Sequence, residues 1–386
     1  MKTLVVIILF VIIIGLNGIS DAKQLKLVFA IFRHGDRTPV ATYPTDPYTD
    51  ESKYWPDGYG QLIQSGKQRM YSLGKYMRKR YKSFLGQSIR EVWIRSSQRD
   101  RCLNSALLVM AGLYPPTGRW KWGRDLGNVW QPVPVNTVEF AKDSMLNPDS
   151  DCPVAKREEY IISKSKDVQN LFKKHKRLVN YIATKTGLKF KDHGTGRDLY
   201  NNLQIVQTHN HMLPNWTNSE VMECLKEFHE MSFLFDSSTQ LIRKLRAGQL
   251  LKDIRYRLKQ FIASKEKFKH KLFIYSTHDT QLSVFLRSLD IYNNMSPPYG
   301  STIFIELYDL QTKTSKKKSV FELEVHYLND TKSEKPYELP VKMCQKANKT
   351  ICELNNFFSV TKNLIVNNWE QECQESYLSS IFKFEL

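Results

Sequence analysis

The sequence comprises 386 residues, of which 41% are hydrophobic and 25% charged, and this length and composition predict a globular protein with one large domain or two of ordinary size. It contains no internal repeat and no low-complexity linker, which excludes a repeat architecture. The net charge of +18 favours anionic ligands and acidic surfaces, but by itself it does not indicate nucleic acid.

Residues 1–22 have the pattern of a secretory signal peptide, because one Lys precedes an apolar run from Leu4 to Leu16 and small and polar residues follow. An N-terminal membrane anchor is the alternative, but this run is shorter than the ~20 residues that a span needs. No later stretch is apolar enough to cross a bilayer. We therefore expect a secreted, soluble, extracellular protein without a membrane span.

The first predicted elements alternate between strand and helix. LKLVFAIF (25–32) is a nearly continuous apolar run, as in a strand that is covered on both faces. Apolar residues from Met70 to Phe84 step by three and four, which predicts a helix, and EVWIRSS (91–97) is a second strand. A second helix follows, with an apolar face made of Leu103, Leu107, Met110 and Leu113. This order is typical of a parallel α/β layer.

From about residue 135 the pattern changes to long, basic, amphipathic helices, and the α/β pattern returns after residue 265. The fold class we expect is α/β, with a Rossmann-like, mostly parallel sheet flanked by helices and interrupted by a mainly helical cap. The predicted domains are a core of residues 23–134 and 266–386 and a cap of residues 135–265. We expect the cap to lie over the carboxyl edge of the sheet.

Three predicted strands end in charged or polar residues that a buried strand does not need. The first ends at Arg33 and His34, the second at Arg95, and the third at His278 and Asp279. Ligands of open parallel sheets bind outside the carboxyl ends of the strands, so these side chains are expected to meet there. Clustered cations repel each other unless an anion lies among them, and the planar fork of arginine matches phosphate oxygens. The sequence therefore predicts a site for a phosphoryl group.

The same residues suggest a reaction. Guanidinium groups around His34 favour its neutral imidazole, which is a competent nucleophile. His278 can donate to a phosphate oxygen, and Asp279 can protonate a leaving alcohol if it holds a proton, which acid pH favours. Gly35 is expected to let the backbone approach the phosphate without a side chain in the way.

RHGDRTP (33–39) resembles the RHGxRxP motif of the histidine acid phosphatases, and STHDT (276–280) resembles their HD motif. WPDGYGQLIQSGKQRMYSLGKYMRKRY and LDIYNNMSPPYGS are also similar to segments of the prostatic and lysosomal types, and in appearance the chain is closest to insect venom acid phosphatases. The resemblance implies a phosphoglycerate-mutase-like core and no metal or other cofactor. It implies that His34 is the phosphorylated nucleophile, that Asp279 is the proton donor, and that the phosphate is held by Arg33, Arg37, Arg95 and His278.

Six cysteines in an exported chain indicate disulfides, and no cysteine or histidine cluster has zinc spacing. Sequence alone allows a local bridge between Cys344 and Cys352. The resemblance implies that pair and the pair Cys152 and Cys373, and leaves Cys102 and Cys224 either paired with each other or free. The sequons at Asn215, Asn329 and Asn348 predict N-glycosylation.

Several charged or polar residues near these motifs have a second interpretation. Arg99 and Arg101 compete with Arg95 for the phosphate role, but on a helix they can be surface charges. Asp36 is interpreted as a turn or helix-capping residue. His209 and His211 are two residues apart with no carboxylate nearby, so we interpret them as cap residues on the substrate side rather than metal ligands.

The function we expect is a secreted acid phosphatase that acts on small phosphate esters through a phosphohistidine. An inositol-polyphosphate or phytase-like phosphatase of the same superfamily is an alternative, although those enzymes often have HAE where this chain has HD. A secreted basic glycan-binding protein with incidental catalysis is another, and the lysine-rich run KKHKR (173–177) is compatible with it. No nucleic-acid partner is expected, and a homodimer is left open.

Overall fold

The first strand, β1 (Lys23–Arg33), runs through the middle of a central sheet. Residues 27–32 of this strand are fully buried, as expected for an apolar run that is covered on both faces. The computed structural model describes residues 23–264, 268–310, 320–329, 335–341, 344 and 352–374. The expected signal peptide and the sequon at Asn348 lie outside the described residues.

The central sheet is mixed, with its parallel part on the side of the predicted site. The remaining strands in chain order are β2 (Val92–Ser96), β3 (Leu272–Thr277), β4 (Thr302–Leu310), β5 (Val320–Leu328), β6 (Tyr337–Glu338) and β7 (Cys352–Glu353). Their order is β2-β3-β1-β4-β5-β6, and β7 also pairs with β5. The strands β2, β3 and β1 are parallel, whereas β4 to β7 pair in the antiparallel sense. The α/β fold class is confirmed, and the strands with the predicted site residues are the parallel ones.

The three parallel strands end together. Arg33 is opposite Thr277 in the pairing of β1 with β3, and Ser96 is opposite Ser276 in the pairing of β2 with β3. The amide of His34 then donates to the carbonyl of Thr277 at 3.0 Å, which extends the pairing by one residue. The residues that follow each strand therefore meet at one edge of the sheet.

Helices cover the sheet and fill the interval between β2 and β3. They are α1 (Glu51–Tyr54), α2 (Gln64–Arg80), α3 (Asp100–Leu113), α4 (Leu126–Val129), α5 (Pro153–Ser163), α6 (Lys166–Lys174), α7 (Lys176–Thr186), α8 (His193–Thr208), α9 (Ser219–Phe235), α10 (Gln240–Ser264), α11 (Asp279–Ser288), α12 (Leu354–Val360) and α13 (Trp369–Glu372). One-turn 3-10 helices lie at Ile89–Glu91, Gly118–Trp120, Phe140–Lys142 and Lys362–Leu364. Among the described residues, the chain between β2 and β3 forms helices and no strand.

The helical region has a buried core of its own. Leu171 of α6, Leu203 of α8 and Phe228 of α9 belong to one buried cluster, separate from the clusters that cover the sheet. In contrast, Leu251 and Leu258 of α10 belong to the cluster that packs on the sheet. This packing supports the proposal of a helical cap, and along α10 the buried residues change from the cluster of the helical region, which includes Ile242 and Leu245, to the cluster on the sheet.

The face that α3 buries differs from the predicted one. Met110 and Leu113 are buried as expected, but Leu107 is 37% exposed. The buried face is centred on Ala106 and Val109 instead, because α3 lies against both the sheet and α2. The buried face of α3 therefore follows Ala106 and Val109 and not the spacing of its leucines.

The structure contains the two disulfides that the resemblance implies. Cys152 is bonded to Cys373 and Cys344 to Cys352, and the first of these joins the start of α5 to the segment after α13. Cys102 and Cys224 are both buried and free. The sequence analysis left these two cysteines either paired with each other or free, and in the structure they are free.

Candidate active site

His34 follows β1 and uses its two ring nitrogens in different hydrogen bonds. Its Nδ1 donates to the carbonyl of Gly35 at 2.9 Å, and its Nε2 accepts from Nε of Arg101 at 3.1 Å. Because a guanidinium group can only donate, this assignment leaves the lone pair of the imidazole on Nε2. The geometry therefore presents Nε2 as the nucleophilic atom.

The surroundings of His34 keep its imidazole neutral. Burial lowers the pKa of His34 well below its ordinary value of 6.5, and the positive charges of Arg101, Arg33 and Arg37 lower it further. A histidine with the ordinary value would be mostly protonated at pH 5 and could not attack. His34 instead keeps its lone pair at acid pH, in agreement with the expectation from the arginines in the motif.

Arg33 is held rigidly at the end of β1. Its guanidinium group lies 2.8 Å from Oδ2 of Asp279, donates to the carbonyl of Pro297 at 2.7 Å, and stacks 3.9 Å from the ring centre of Tyr299. Tyr299 also lies beside the imidazole of His34. Sequence reasoning assigned no role to Tyr299, although it stands in the PPYG segment before β4.

Asp279 is the first residue of α11, and its carboxyl group is ionised. Burial alone would raise the pKa of its carboxyl group, but the charges of Arg33 and Arg37 and the amide of Thr280 outweigh burial and hold the pKa below the usual 3.8. The proton that a general acid needs is therefore absent until the surrounding charge changes.

His278 lies between β3 and α11, with its ring centre 5.6 Å from that of His34. Its Nε2 is 3.0 Å from Oγ of Ser97 and 3.7 Å from the thiol of Cys102. Burial first, and then the charge of Arg101, lowers the pKa of His278 to about 3. The ring is therefore neutral, and a neutral imidazole can still donate from one nitrogen. Ser97, the residue after β2, is a contact that sequence reasoning missed.

Two arginines near His34 have donors without acceptors. The Nε atoms of Arg33 and Arg37 are buried and have no hydrogen-bond partner among the described residues. Arg37 donates from Nη1 to the carbonyl of Thr38. Unpaired buried donors are costly, and an oxyanion between these two side chains would supply the missing acceptors.

Arg95 is not beside His34. Its guanidinium group lies 2.9 Å from Oδ1 of Asp143 and also donates to the carbonyl of Ser96. Asp143 is almost fully buried, so this is an interior ion pair that holds the segment after α4 against β2. The arginine that reaches His34 is Arg101, in the first turn of α3. The sequence analysis considered Arg101 only as an alternative to Arg95 for binding the phosphate.

Gly35 and Asp36 of the RHGDRTP motif both contact helix α2. A Cβ atom on Gly35 would lie 2.7 Å from the carbonyl oxygen of Gly66 in α2, so the absent side chain makes room for a helix rather than for phosphate. Asp36 accepts two hydrogen bonds from Arg69, at 2.6 and 3.1 Å. Asp36 therefore fixes the loop to α2, a non-catalytic role that differs from the turn or cap role we expected.

His209 and His211 belong to an aromatic cluster. Both rings lie edge-on to Trp55, and the ring of His211 stacks on that of Tyr48. His209 also borders the cavity next to Arg33, and the position of both histidines on the substrate side stays a prediction.

Within the part of the chain that the structure describes, one group of side chains has metal-ligand spacing: Glu306, Glu324 and His326. It lies on β4 and β5. Glu306 already accepts hydrogen bonds from Arg80 and Tyr81, so the group forms part of a hydrogen-bonded network. No helix in this part is long and apolar enough to cross a membrane.

Three cavities meet at Arg37. The acidic cavity, of about 460 Å³, is bordered by Asp279 and by α5 and α8, and its carboxylates are Asp149, Glu159, Asp192, Asp198, Asp236 and Asp279. The basic cavity, of about 340 Å³, is bordered by Arg33 and α9, and its cations are Arg33, Arg37, Arg69 and Lys226. The third, of about 490 Å³, lies between residues 39–43 and α8. Arg37, one of the predicted phosphate ligands, thus borders all three cavities.

Comparison with known proteins gives matches to one family over most of the chain. The family model described as "Histidine phosphatase superfamily (branch 2)" matches residues 24–327. The chain is 36% identical to human prostatic acid phosphatase over 372 residues, which are 95% of this chain and 92% of that protein. It is 34% identical to human lysosomal acid phosphatase over 361 residues, which are 92% of this chain and 81% of that protein.

Solved structures have the same fold at much lower identity. The apo form of Hafnia alvei phytase has a TM-score of 0.66 and 15% identity, and the match covers 92% of this chain and 99% of that one. The phytase from Citrobacter braakii has a TM-score of 0.63 and 17% identity, and the match covers 91% of this chain and 99% of that one. At this identity the likeness concerns the fold alone.

Proposed function

The chain belongs to branch 2 of the histidine phosphatase superfamily and is an acid phosphatase, and from this premise we propose that it hydrolyses phosphate monoesters through a phosphohistidine formed on Nε2 of His34. The family, the enzyme class and the acid-phosphatase reading expected from the motifs are confirmed. The observation that carries the residue assignment is the hydrogen bond from Nδ1 of His34 to Gly35, which leaves the lone pair on Nε2 among the guanidinium groups of Arg101, Arg33 and Arg37.

In the proposed first step, Nε2 of His34 attacks phosphorus and a P–N bond forms as the bond from phosphorus to the ester oxygen breaks. The leaving alkoxide takes a proton and departs as the alcohol. In the second step, water attacks phosphorus on the opposite side, the P–N bond breaks, and inorganic phosphate is released. The neutral imidazole of His34 is then restored.

We assign the phosphate oxygens to Arg33, Arg37, Arg101 and His278. The buried, unpaired Nε atoms of Arg33 and Arg37 support this assignment, as does the contact of Arg101 with His34. Arg101 replaces the Arg95 of the sequence-based prediction, because Arg95 is engaged with Asp143. Ser97 holds the ring of His278 and Tyr299 holds the guanidinium group of Arg33, so we regard both as positioning residues.

We keep Asp279 as the proposed proton donor, on the condition that substrate binding raises the pKa of its carboxyl group. Its carboxyl group is ionised because Arg33 and Arg37 stand beside it. A bound phosphate ester places negative charge between those groups, which offsets the guanidinium charge and raises the pKa of Asp279. Substrate binding and an acid medium together then supply the proton that the leaving oxygen requires.

The direct test is to trap the intermediate. Wild-type protein mixed with a radiolabelled phosphate ester and quenched in alkali should retain label that acid removes, as expected for a P–N bond. His34→Ala should retain none and should not turn over p-nitrophenyl phosphate. Full activity of this variant would exclude His34 as the nucleophile.

The two alternative functions have less support. The named relatives are acid phosphatases, and the fold likeness to phytases carries no substrate information. In the run of residues 173–177, Lys174 and His175 contact Glu227, and Arg177 contacts Glu220. These pairs reduce the free positive charge that a glycan-binding surface would need.

We also propose that the protein is exported and glycosylated. The disulfides are typical of oxidising compartments, and the asparagine of the sequon at Asn215 is exposed. Asn329, directly after β5, is half-buried and is less accessible than Asn215. The resemblance to venom enzymes stays a prediction. Mass analysis before and after glycosidase treatment of secreted protein would test export and glycosylation together.

A homodimer is supported by one exposed apolar surface. Trp122, Leu126 and Val129 are each more than half exposed around α4, and Trp122 lies edge-on to Trp130. Exposed aromatic patches of this kind often mark interfaces between proteins. Light scattering of the wild type and of Trp122→Ser would test this proposal, and a monomeric wild type would contradict it.

A further inference from the structure

We propose that an open groove between helices α2 and α3 binds a sulfated glycan chain at a surface separate from the active site. This cationic groove has a volume of about 650 Å³, and its cations are Lys75, Arg78, Lys79 and Lys82. The inference goes beyond the proposed function, because it concerns where the protein docks and not which ester it hydrolyses.

Glycines bring α2 and α3 into direct contact beneath the groove. A Cβ atom on Gly112 would lie 2.3 Å from the carbonyl oxygen of Tyr71, and one on Gly74 would lie 2.1 Å from that of Val109. Gly112 and Pro115 border the groove on the α3 side, where neither has a long side chain. The cations come from α2 and the turn after it, so the groove has one cationic side and one side without charged groups.

The four cations lie along one face of α2. Counted from Lys75 they stand at positions i, i+3, i+4 and i+7, and side chains at these spacings are neighbours on a helix. Like charges at this spacing repel each other. The helix dipole favours cations in the last turn of α2, but Lys75 lies before that turn and Lys82 after the helix. A ligand with several negative charges would offset the repulsion.

The protein does not neutralise this positive charge itself. Among the described residues, no carboxylate borders the groove. Lys75 and Lys82 are exposed and form no ion pair within the described part of the chain. Arg78 donates to the carbonyl of Gly86 at 2.7 Å and lies over the ring of Tyr114, so its contacts are with uncharged groups. The groove therefore differs from the run of residues 173–177, where Glu227 and Glu220 pair with the cations.

The shape of the groove favours a chain-like polyanion over a membrane. A bilayer presents a broad surface, whereas these cations border a concave groove. Tyr71 also borders it and is 43% exposed, and its ring offers an apolar face and a hydroxyl group to a sugar ring beside the cations. The disulfides are typical of oxidising compartments and cell surfaces, where sulfated glycans are the polyanions at hand. A sulfated glycan is therefore the occupant that fits best.

The cationic groove lies at the far end of α2 from the proposed active site. Arg69, near the start of the helix, contacts Asp36 in the loop after His34. Arg80, at its end, contacts Glu306, which is opposite Val28 in the middle of β1. A glycan bound in the groove should therefore leave the catalytic residues accessible.

The test measures the Kd of a heparin-derived octasaccharide for the purified protein by calorimetry at about 0.1 M salt. The groove variant combines Lys75→Gln, Lys79→Gln and Lys82→Gln. The control variant removes the same charge from exposed lysines of α6 and α7 by Lys166→Gln, Lys173→Gln and Lys176→Gln. We expect binding to weaken about tenfold or more in the groove variant, as for the loss of three exposed ion pairs, and about twofold or less in the control. Equal weakening in both, or none in the groove variant, would overturn the proposal.

Other polyanions test the identity of the ligand. The same octasaccharide without its sulfate groups should bind at least about tenfold more weakly to the wild type. Tighter binding of duplex DNA, or of vesicles that contain phosphatidylserine, would overturn the assignment to a sulfated glycan. Saturating octasaccharide should leave turnover of p-nitrophenyl phosphate unchanged, and inhibition would contradict a separate site. Because no readout of glycan binding depends on catalysis, an inactive His34→Ala protein should still bind.

Discussion

Nε of Arg101 lies 3.1 Å from Nε2 of His34, so this guanidinium group donates to the lone pair of the proposed nucleophile. A phosphate group must come between these two atoms before Nε2 can attack. Arg101 then exchanges an imidazole acceptor for a phosphate oxygen, and it can keep that bond as negative charge develops in the transition state. The same side chain thus shields the nucleophile and prepares the phosphate site.

Replacement of Arg101 should abolish most of the activity without loss of fold. We expect Arg101→Met to lower kcat/KM for p-nitrophenyl phosphate by about 10² to 10³, as for removal of one transition-state donor, with little change in Tm. The matched variant is Arg95→Met, which leaves the buried Asp143 without its partner and should destabilise the fold by about 3 kcal/mol or more. A larger activity loss per folded molecule in Arg95→Met than in Arg101→Met would contradict our assignment.

Removal of the Asp279 carboxyl group should affect substrates according to their leaving groups. An alkoxide needs a proton, whereas p-nitrophenolate is stable enough to leave without one. Asp279→Asn should therefore lower kcat for an alkyl phosphate by about 10² or more, and for p-nitrophenyl phosphate by much less. Equal losses for both substrates, measured side by side, would show that Asp279 acts through charge or position rather than through its proton.

Stability should fall as the pH is lowered below 6.5, in part because of His229. Burial lowers the pKa of this histidine from 6.5 to about 4, so between these values the unfolded chain binds a proton that the folded chain excludes. More protons on the unfolded state mean that stability rises with pH in this window, and the contribution lost at pH 5 is roughly 2 kcal/mol.

His229→Gln cannot take up that proton. We expect this variant to lose less free energy of unfolding between pH 7 and pH 5 than the wild type, as measured by urea denaturation at both values. Equal pH dependence in the two proteins would mean that His229 is not titrating in this range.

A methyl group at residue 35 should displace helix α2. The Cβ atom of Gly35→Ala would lie 2.7 Å from the backbone oxygen of Gly66 and 2.9 Å from the side chain of Met70. Such overpacking typically costs about 1–3 kcal/mol, which lowers Tm, and it also moves the loop that carries His34. Gly123→Ala is the matched control, because the nearest atoms to its added Cβ are 3.8 Å away. Similar Tm values for the two variants would contradict the close contact.

The fold and half of the site could be predicted from the residues at which the strands end. The apolar run of β1 and the HD pair after β3 could be identified in sequence, and parallel pairing brings such ends to one edge. Three of the residues around His34 are fixed this way: Arg33, His278 and Asp279. The antiparallel direction of β4 could not be read from the sequence, because an apolar strand has the same pattern in either direction.

The remaining parts depend on geometry that residue order does not contain. Arg95, Arg99 and Arg101 follow each other closely, and only the turn from β2 into α3 decides which of them faces His34. Asp143 could not be recognised as the partner of Arg95, since it comes from a distant irregular segment. Gly35 was linked to phosphate because α2 could not be placed, and it is α2 that occupies the space.

Val28 of β1 pairs with Leu272 of β3, so the central strands of the sheet can pair only late in synthesis of the chain. A ribosome releases the apolar strand β1 long before its neighbours β3 and β4 exist, so neither edge of that strand is paired while the intervening helices emerge. Those helices share a core of their own and can assemble during the wait. The proposed nucleophile, His34, and the proposed proton donor, Asp279, come together only when β3 inserts beside β1. Phosphatase activity is therefore expected to require the pairing of β1 with β3 and not to arise from a fragment that ends before β3.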